Sequence, residues 1–283
     1  MGIDTHQFGK LGGGIAYLLR GRRAALIETG TAASADRLAS RLRGENLAYV
    51  FVTHVHLDHG GGAGRLVADH PEATVVVHPR GAPHLADPSR LIRGARLASP
   101  LLSPLYGAPR PVPEHRILEA HDGDRFDLGD DVVLDVVESP GHAPHHLCFF
   151  ERSGRILFCG DAAGNHGTPV DTPLTVPPRF DLAKGLGTLR RLKQLDPRLL
   201  AFTHFGLAAG AATLLDRYAA RLIAWFDRIG ELSRGKPVEA IVTEVLADRR
   251  YAALGELDRG LVEMCVRGAL RSLPDNRTRP TRR

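Results

Sequence analysis

Between the apolar run Leu47-Ala48-Tyr49-Val50-Phe51-Val52 and the triplet Gly60-Gly61-Gly62, the chain reads Thr53-His54-Val55-His56-Leu57-Asp58-His59. The run before it is β-branched and aromatic, which predicts a buried strand that empties into a loop at Thr53. His54 and His56 project to one side where extended geometry persists, and Asp58 and His59 follow on the turn. The glycines let the backbone crowd a small object. The helix expected after them, over Ala63 to Asp69, points its positive end back toward the same place. Three imidazoles and a carboxylate within six residues suit zinc, copper, iron or nickel, and the carboxylate admits manganese.

Three later stretches repeat the plan of an apolar strand, a small residue or kink, and then a ligand-type side chain. Val132 to Val137 leads to Ser139-Pro140-Gly141-His142, Ile156 to Cys159 leads to Gly160-Asp161, and Leu199 to Phe202 leads to Thr203-His204. Proline and glycine end each strand and permit the backbone that aims the next side chain inward. If these strand ends share one sheet edge, His54, His56, Asp58, His59, His142, Asp161 and His204 converge.

The rest of the chain reads as alternating elements. Ile15 to Leu19 and Ala24 to Ile27 form a hairpin, Ala32 to Arg43 a helix, and Thr74 to Val77 a buried strand. Prolines at 100, 104, 109, 111 and 113 make Arg96 to Arg116 a covering loop, and Gly167 to Phe180 a second one. Arg125 to Leu128 and His146 to Phe150 are strands, Asp181 caps a helix through Leu195, and Leu199 to Phe202 is the last strand. From Thr213 the apolar stripes are helical.

No run approaches the roughly 18 apolar residues of a membrane span, and the first residues lack a secretory pattern. The three cysteines are odd in number and lack Cys-x-x-Cys spacing, which argues against a disulfide framework and a thiolate zinc site. A cytoplasmic protein is the expectation. The net charge of +5 rests on arginine, whose one visible cluster is the tail from Arg277 to Arg283, read as a frayed, solvated end. Neither a nucleic acid nor a membrane is expected as partner. A small-molecule substrate is, and a homodimer is admitted.

With these residues in view, the sequence resembles the metallo-β-lactamase superfamily, with its His-x-His-x-Asp-His signature and later His, Asp and His. The resemblance runs over about residues 12 to 206. It implies an α+β fold, a four-layer αββα sandwich with a C-terminal helical extension. The implied layout is a catalytic domain over 1–210, a helical cap over 211–273 and a basic tail over 274–283. Carried over position by position, His54, His56 and His142 hold one metal, Asp58, His59 and His204 hold a second, and Asp161 bridges them. Having both aspartates looks like the branch of glyoxalase II and the acyl-homoserine lactonases. Glu28 stands where the family usually has aspartate, and is read as orienting the ligand loop from beneath.

The expected cofactor is a pair of divalent ions, zinc first, with iron or manganese as alternatives. A metal-bridging hydroxide would then attack a small ester, thioester or lactone, with Asp58 orienting it. His145, Tyr106 and Asn165 are candidate substrate contacts. His146 is expected to open the next strand and face away. Residues after Asp161 lack the basic and tyrosyl run of the glutathione thioesterases, so a glutathione substrate is not supported. Three other readings stay open: a mononuclear iron persulfide dioxygenase, a phosphodiesterase or nuclease, and a non-catalytic metal-binding protein.

Overall fold

Strand alternation explains the layers. In β4 (Leu47–Phe51), Tyr49 and Phe51 face one buried cluster and Val50 faces another. In β10 (Ile156–Gly160), Leu157 and Cys159 face one side while Phe158 faces the other. With both faces covered, such strands need near-continuous apolar sequence. The computed structural model describes residues 1–167, 172–178 and 180–274.

Among the described residues there are two six-stranded sheets. The first holds, in spatial order, β1 (Gly2–Asp4), β2 (Ile15–Arg20), β3 (Ala24–Ile27), β4, β5 (Thr74–Val77) and β6 (Ile117–Glu119). The second runs β12 (Gly206–Ala209), β11 (Leu199–Phe202), β10, β9 (Leu147–Glu151), β8 (Val132–Glu138) and β7 (Arg125–Gly129). Between them lies an aromatic core in which Phe51 meets Phe149 and Phe126, with ring centroids 5.0 Å apart in both pairs.

Helices α1 (Ala35–Arg41) and α2 (Ala63–Asp69) cover the first sheet through Leu38, Leu42, Leu66 and Val67. The outer face of the second sheet is covered by α5 (Leu182–Gln194), α6 (Ala211–Leu232), α7 (Val238–Leu246) and α8 (Glu256–Ser272). Leu189, Leu222, Trp225, Val245 and Val266 share one buried cluster there with Leu157, Leu200 and Phe202. The order helix, sheet, sheet, helix is the four-layer sandwich. Cys148, Cys159 and Cys265 all lie inside that outer cluster, fully buried and unbridged. No described helix is long and apolar enough to cross a membrane.

Several local expectations need correction. The stretch expected to be loop from Arg96 begins inside α4 (Ser89–Ala98), which follows the short α3 (Ala82–Ala86). Past α4, the prolines give only single 3-10 turns at Ser103–Tyr106 and Glu114–Arg116. Leu199–Phe202 is not the last strand, since β12 pairs with it antiparallel. Of the second proline-rich loop, residues 168–171 and 179 lie outside the described residues, as do residues 275–283 of the basic tail.

One edge of the sandwich is stitched across both sheets. The Leu147 N–H donates to the Thr53 carbonyl at 2.7 Å, and the Ile15 N–H to the Thr203 carbonyl at 2.7 Å. The Tyr17 hydroxyl donates to the Phe202 carbonyl at 2.6 Å. At this edge β4, β8, β10 and β11 all end.

Candidate metal centre

The signature loop is a tight turn: the N–H groups of His59 and Gly60 both donate to the His56 carbonyl, at 3.0 and 2.9 Å. This curls His54 and His56 around a common point rather than along a strand. His54 Nε2 lies 2.9 Å from His56 Nδ1, and His142 Nε2 lies 3.0 Å from that same atom. Two imidazole ligands on one zinc, each about 2.05 Å from it, stand about 3.3 Å apart in a tetrahedral site. Burial lowers the pKa of all three imidazoles from its ordinary value, which favours the neutral form that can ligate a metal.

A second group forms beside the first. Asp58 Oδ2 is 3.8 Å from His59 Nε2 and 3.7 Å from His204 Nε2. Asp161 faces both groups with different oxygens. Its Oδ2 lies 3.4 Å from His142 Nε2 and 4.0 Å from His54 Nε2. Its Oδ1 lies 3.5 Å from His59 Nε2 and 3.6 Å from His204 Nε2. The chain reaches this position only through Gly160, whose φ is +48°, because a Cβ there would sit 2.6 Å from His146 Nε2.

Do these residues fit a metal pair? Asp161 Oδ1 and His59 Nε2 are buried and have no hydrogen-bond partner, a cost that buried polar atoms rarely carry without a purpose. Two rings have their outer nitrogen held by a carbonyl, which leaves the inner nitrogen of each free to coordinate. His142 Nδ1 donates to the Leu174 carbonyl at 2.8 Å, and His204 Nδ1 to the Gly13 carbonyl at 2.7 Å. Glu28, with φ +72° and 1% exposure, reaches the ligand loop from below. Its Oε1 accepts from the Thr53 hydroxyl, and its Oε2 lies 3.2 Å from His59 Nδ1. Burial would lower the His59 pKa, but Asp161, Glu28 and Asp58 outweigh it and hold it well above the ordinary value. Burial would likewise raise Asp161, yet His59, His142 and His204 hold it well below the carboxylate range. The donors and their charges fit two cations with one carboxylate facing both.

The other nominated residues fall around this cluster. His145 is half-buried with its ring 6.3 Å from that of His54, and burial lowers its pKa to about 4. Tyr106 is half-buried against Phe8, and the charges of Asp58 and Asp161 add to burial in raising its hydroxyl pKa. Asn165 is buried, and its Oδ1 has no partner. His146 does not face away: β9 starts one residue later, and the ring turns inward. It stacks on His54 with centroids 4.8 Å apart, and its Nε2 accepts the Asp161 N–H at 3.1 Å. Gln7 was not singled out in the sequence, yet it is buried with Nε2 3.5 Å from Asp58 Oδ2.

The family model described as metallo-beta-lactamase superfamily matches residues 9–204. A metallo-beta-lactamase fold-containing protein of Sulfurisphaera tokodaii is 30% identical over 169 residues, 58% of this chain and 63% of that protein. A putative diflavin flavoprotein of Thermosynechococcus vestitus is 28% identical over 276 residues, 91% of this chain and 42% of that one. The N-acyl homoserine lactonase AttM of Azorhizobium caulinodans is 30% identical over 154 residues, 53% of this chain and 54% of that one. In each case the match spans less than two thirds of the relative. Among solved structures, an archaeal superfamily protein from Sulfolobus tokodaii superposes with a TM-score of 0.70 at 22% identity, covering 92% of this chain and 93% of that one.

Proposed function

Because the chain belongs to the metallo-beta-lactamase superfamily, we propose that it is a dinuclear metal-dependent hydrolase of a small ester, thioester or lactone. The observation that carries this reading is Asp161, whose two oxygens each face a different donor group. His54, His56 and His142 would hold one ion, Asp58, His59 and His204 the other, and Asp161 both. When bound, such ions supply Lewis acidity and make water nucleophilic near neutral pH.

The chain supplies the rest. Asp58 accepts a hydrogen bond from the attacking water and so aims it. Asp58 and Asp161, with Glu28 behind His59, offset part of the positive charge. Tyr106 has a hydroxyl within the field of both aspartates, and it donates to the substrate oxygen. His145, kept neutral by burial, and Asn165 contact the substrate further out. The donor set of imidazole and carboxylate suits zinc first, with iron or manganese as alternatives. The relative named as a lactonase supports an acyl substrate.

A second reading, redox chemistry at the same donors, is favoured by the likeness to a putative diflavin flavoprotein over 91% of the chain. Elemental analysis of protein purified without added metal, beside lactone, thioester and oxygen-consumption assays, separates the two. Under the hydrolase reading, Asp161→Ala loses one or both ions and most of the turnover. Two retained ions with an unchanged rate would sink it.

A further inference from the structure

Thr53 and Glu28 link the outer sides of the two donor groups through His54 and His59, but the remaining outer contacts come from different parts of the chain. Around the first, His54 Nδ1 lies 3.1 Å from the Thr53 hydroxyl and His142 Nδ1 meets the Leu174 carbonyl. Around the second, two of three ligands are touched by one short loop, Thr5 to Gly14. Its Gly13 carbonyl accepts from His204, and its Gln7 amide points at Asp58.

We propose that this loop sets the affinity of the Asp58–His59–His204 group alone, with Gln7 as the positioning residue for Asp58 and helix α8 as the loop's anchor. The inference rests on the dinuclear reading above. Gln7 is 3% exposed, and its neighbours His6 and Phe8 both take left-handed backbone, φ 53° and 55°. That conformation is uncommon outside glycine, and it turns the Gln7 side chain inward. A carboxylate only accepts, so the amide nitrogen must be the end that faces Asp58. The Gln7 Oε1 is then left buried without a partner, so the amide is placed for its nitrogen rather than for its own satisfaction. The loop is closed by the Thr5 N–H and hydroxyl, both donating to the Gly14 carbonyl at 2.8 and 2.9 Å. Lys10 Nζ then ties it to Asp258 Oδ1 of α8 at 2.6 Å. A segment near one end of the sequence and a helix near the other thus converge on one ion's ligands.

The test is a metal titration of full-length protein stripped by chelator, using Co(II) and Zn(II) separately. Stoichiometry is read by equilibrium dialysis with elemental analysis, and Co(II) coordination by visible absorption. Gln7→Met keeps the volume and removes the donor. It should weaken the second equivalent about 10- to 100-fold, leave the first unchanged, and leave metal-free melting unlowered. Lys10→Met, at a part-exposed site, should weaken the second equivalent in the same direction but less. The proposal fails if both equivalents weaken together in Gln7→Met, or if the second is unaffected. Should Gln7→Met not fold, an unchanged second equivalent in Lys10→Met overturns the anchoring and a selective loss supports it. Wild-type protein that takes up one ion only would defeat the dinuclear reading itself.

Discussion

Gly141 precedes His142 with φ +145°, and a Cβ there would stand 2.5 Å from the Cα of Gly185 in α5. Both backbones touch, so a side chain must push the turn, and His142 with it. Gly141→Ala is therefore expected to weaken the first metal equivalent at least 10-fold and to destabilise the fold. Gly187→Ala on the same helix meets only the tip of Arg190, 3.9 Å away. It should be neutral or stabilise by about 0.5–1 kcal/mol; calorimetry and dialysis of the two variants side by side check this. At this scale the sequence displayed what chemistry requires, imidazoles and carboxylates after strand ends. It hid what every residue carries: the Leu174 and Gly13 carbonyls are invisible as letters. His146 was misread because it lies in the turn before β9, where its N–H donates to the Ala143 carbonyl and strand alternation no longer sets its side. Gln7 was illegible because its burial depends on left-handed neighbours that nothing in His6 or Phe8 announces.

Helix α5 shows how an element can be tuned to hold a ligand turn. Asp181 caps it by accepting the Lys184 N–H at 3.0 Å, and its own N–H donates to the Gly141 carbonyl at 2.9 Å. Further along, Arg191 Nη2 donates to Asp122 Oδ2 at 2.8 Å, and Asp122 Oδ1 accepts the N–H of Glu138 at the end of β8. Burial would raise the Asp122 pKa, but these bonds outweigh it and hold it below its ordinary value. A depressed folded pKa means stability present above the unfolded value near 3.9 and lost as pH falls through the folded one. Asp122→Asn should cost on the order of 0.5 kcal/mol near pH 7, the pair being part-exposed. The difference should vanish near pH 2; denaturant midpoints across that range decide it. The interior strands and helices α2 and α5 were readable from period and caps. Strands β6 and β12 were not, because each closes a sheet edge. With one neighbour and exposed residues such as Leu118 and Leu207, neither needs the apolar run by which a buried strand declares itself.

At the scale of the whole molecule, two sheets joined along one edge and helices on both outer faces make a frame whose rigid side carries the donors. The order of layers followed from the family resemblance. The share of the C-terminal helices in the second sheet's own core did not, since amphipathic stripes tell that a face is covered but not by what. That shared core contains every sulfhydryl of the chain, and burial pushes those of Cys148 and Cys265 up to about 12. Alkylating reagents should therefore find nothing to react with in the native protein and become a clock for its opening. One cooperative interior predicts a common labelling rate for Cys148, Cys159 and Cys265, followed by peptide mass spectrometry. A markedly faster Cys265 would mean that the last helices peel away while the sandwich stays shut.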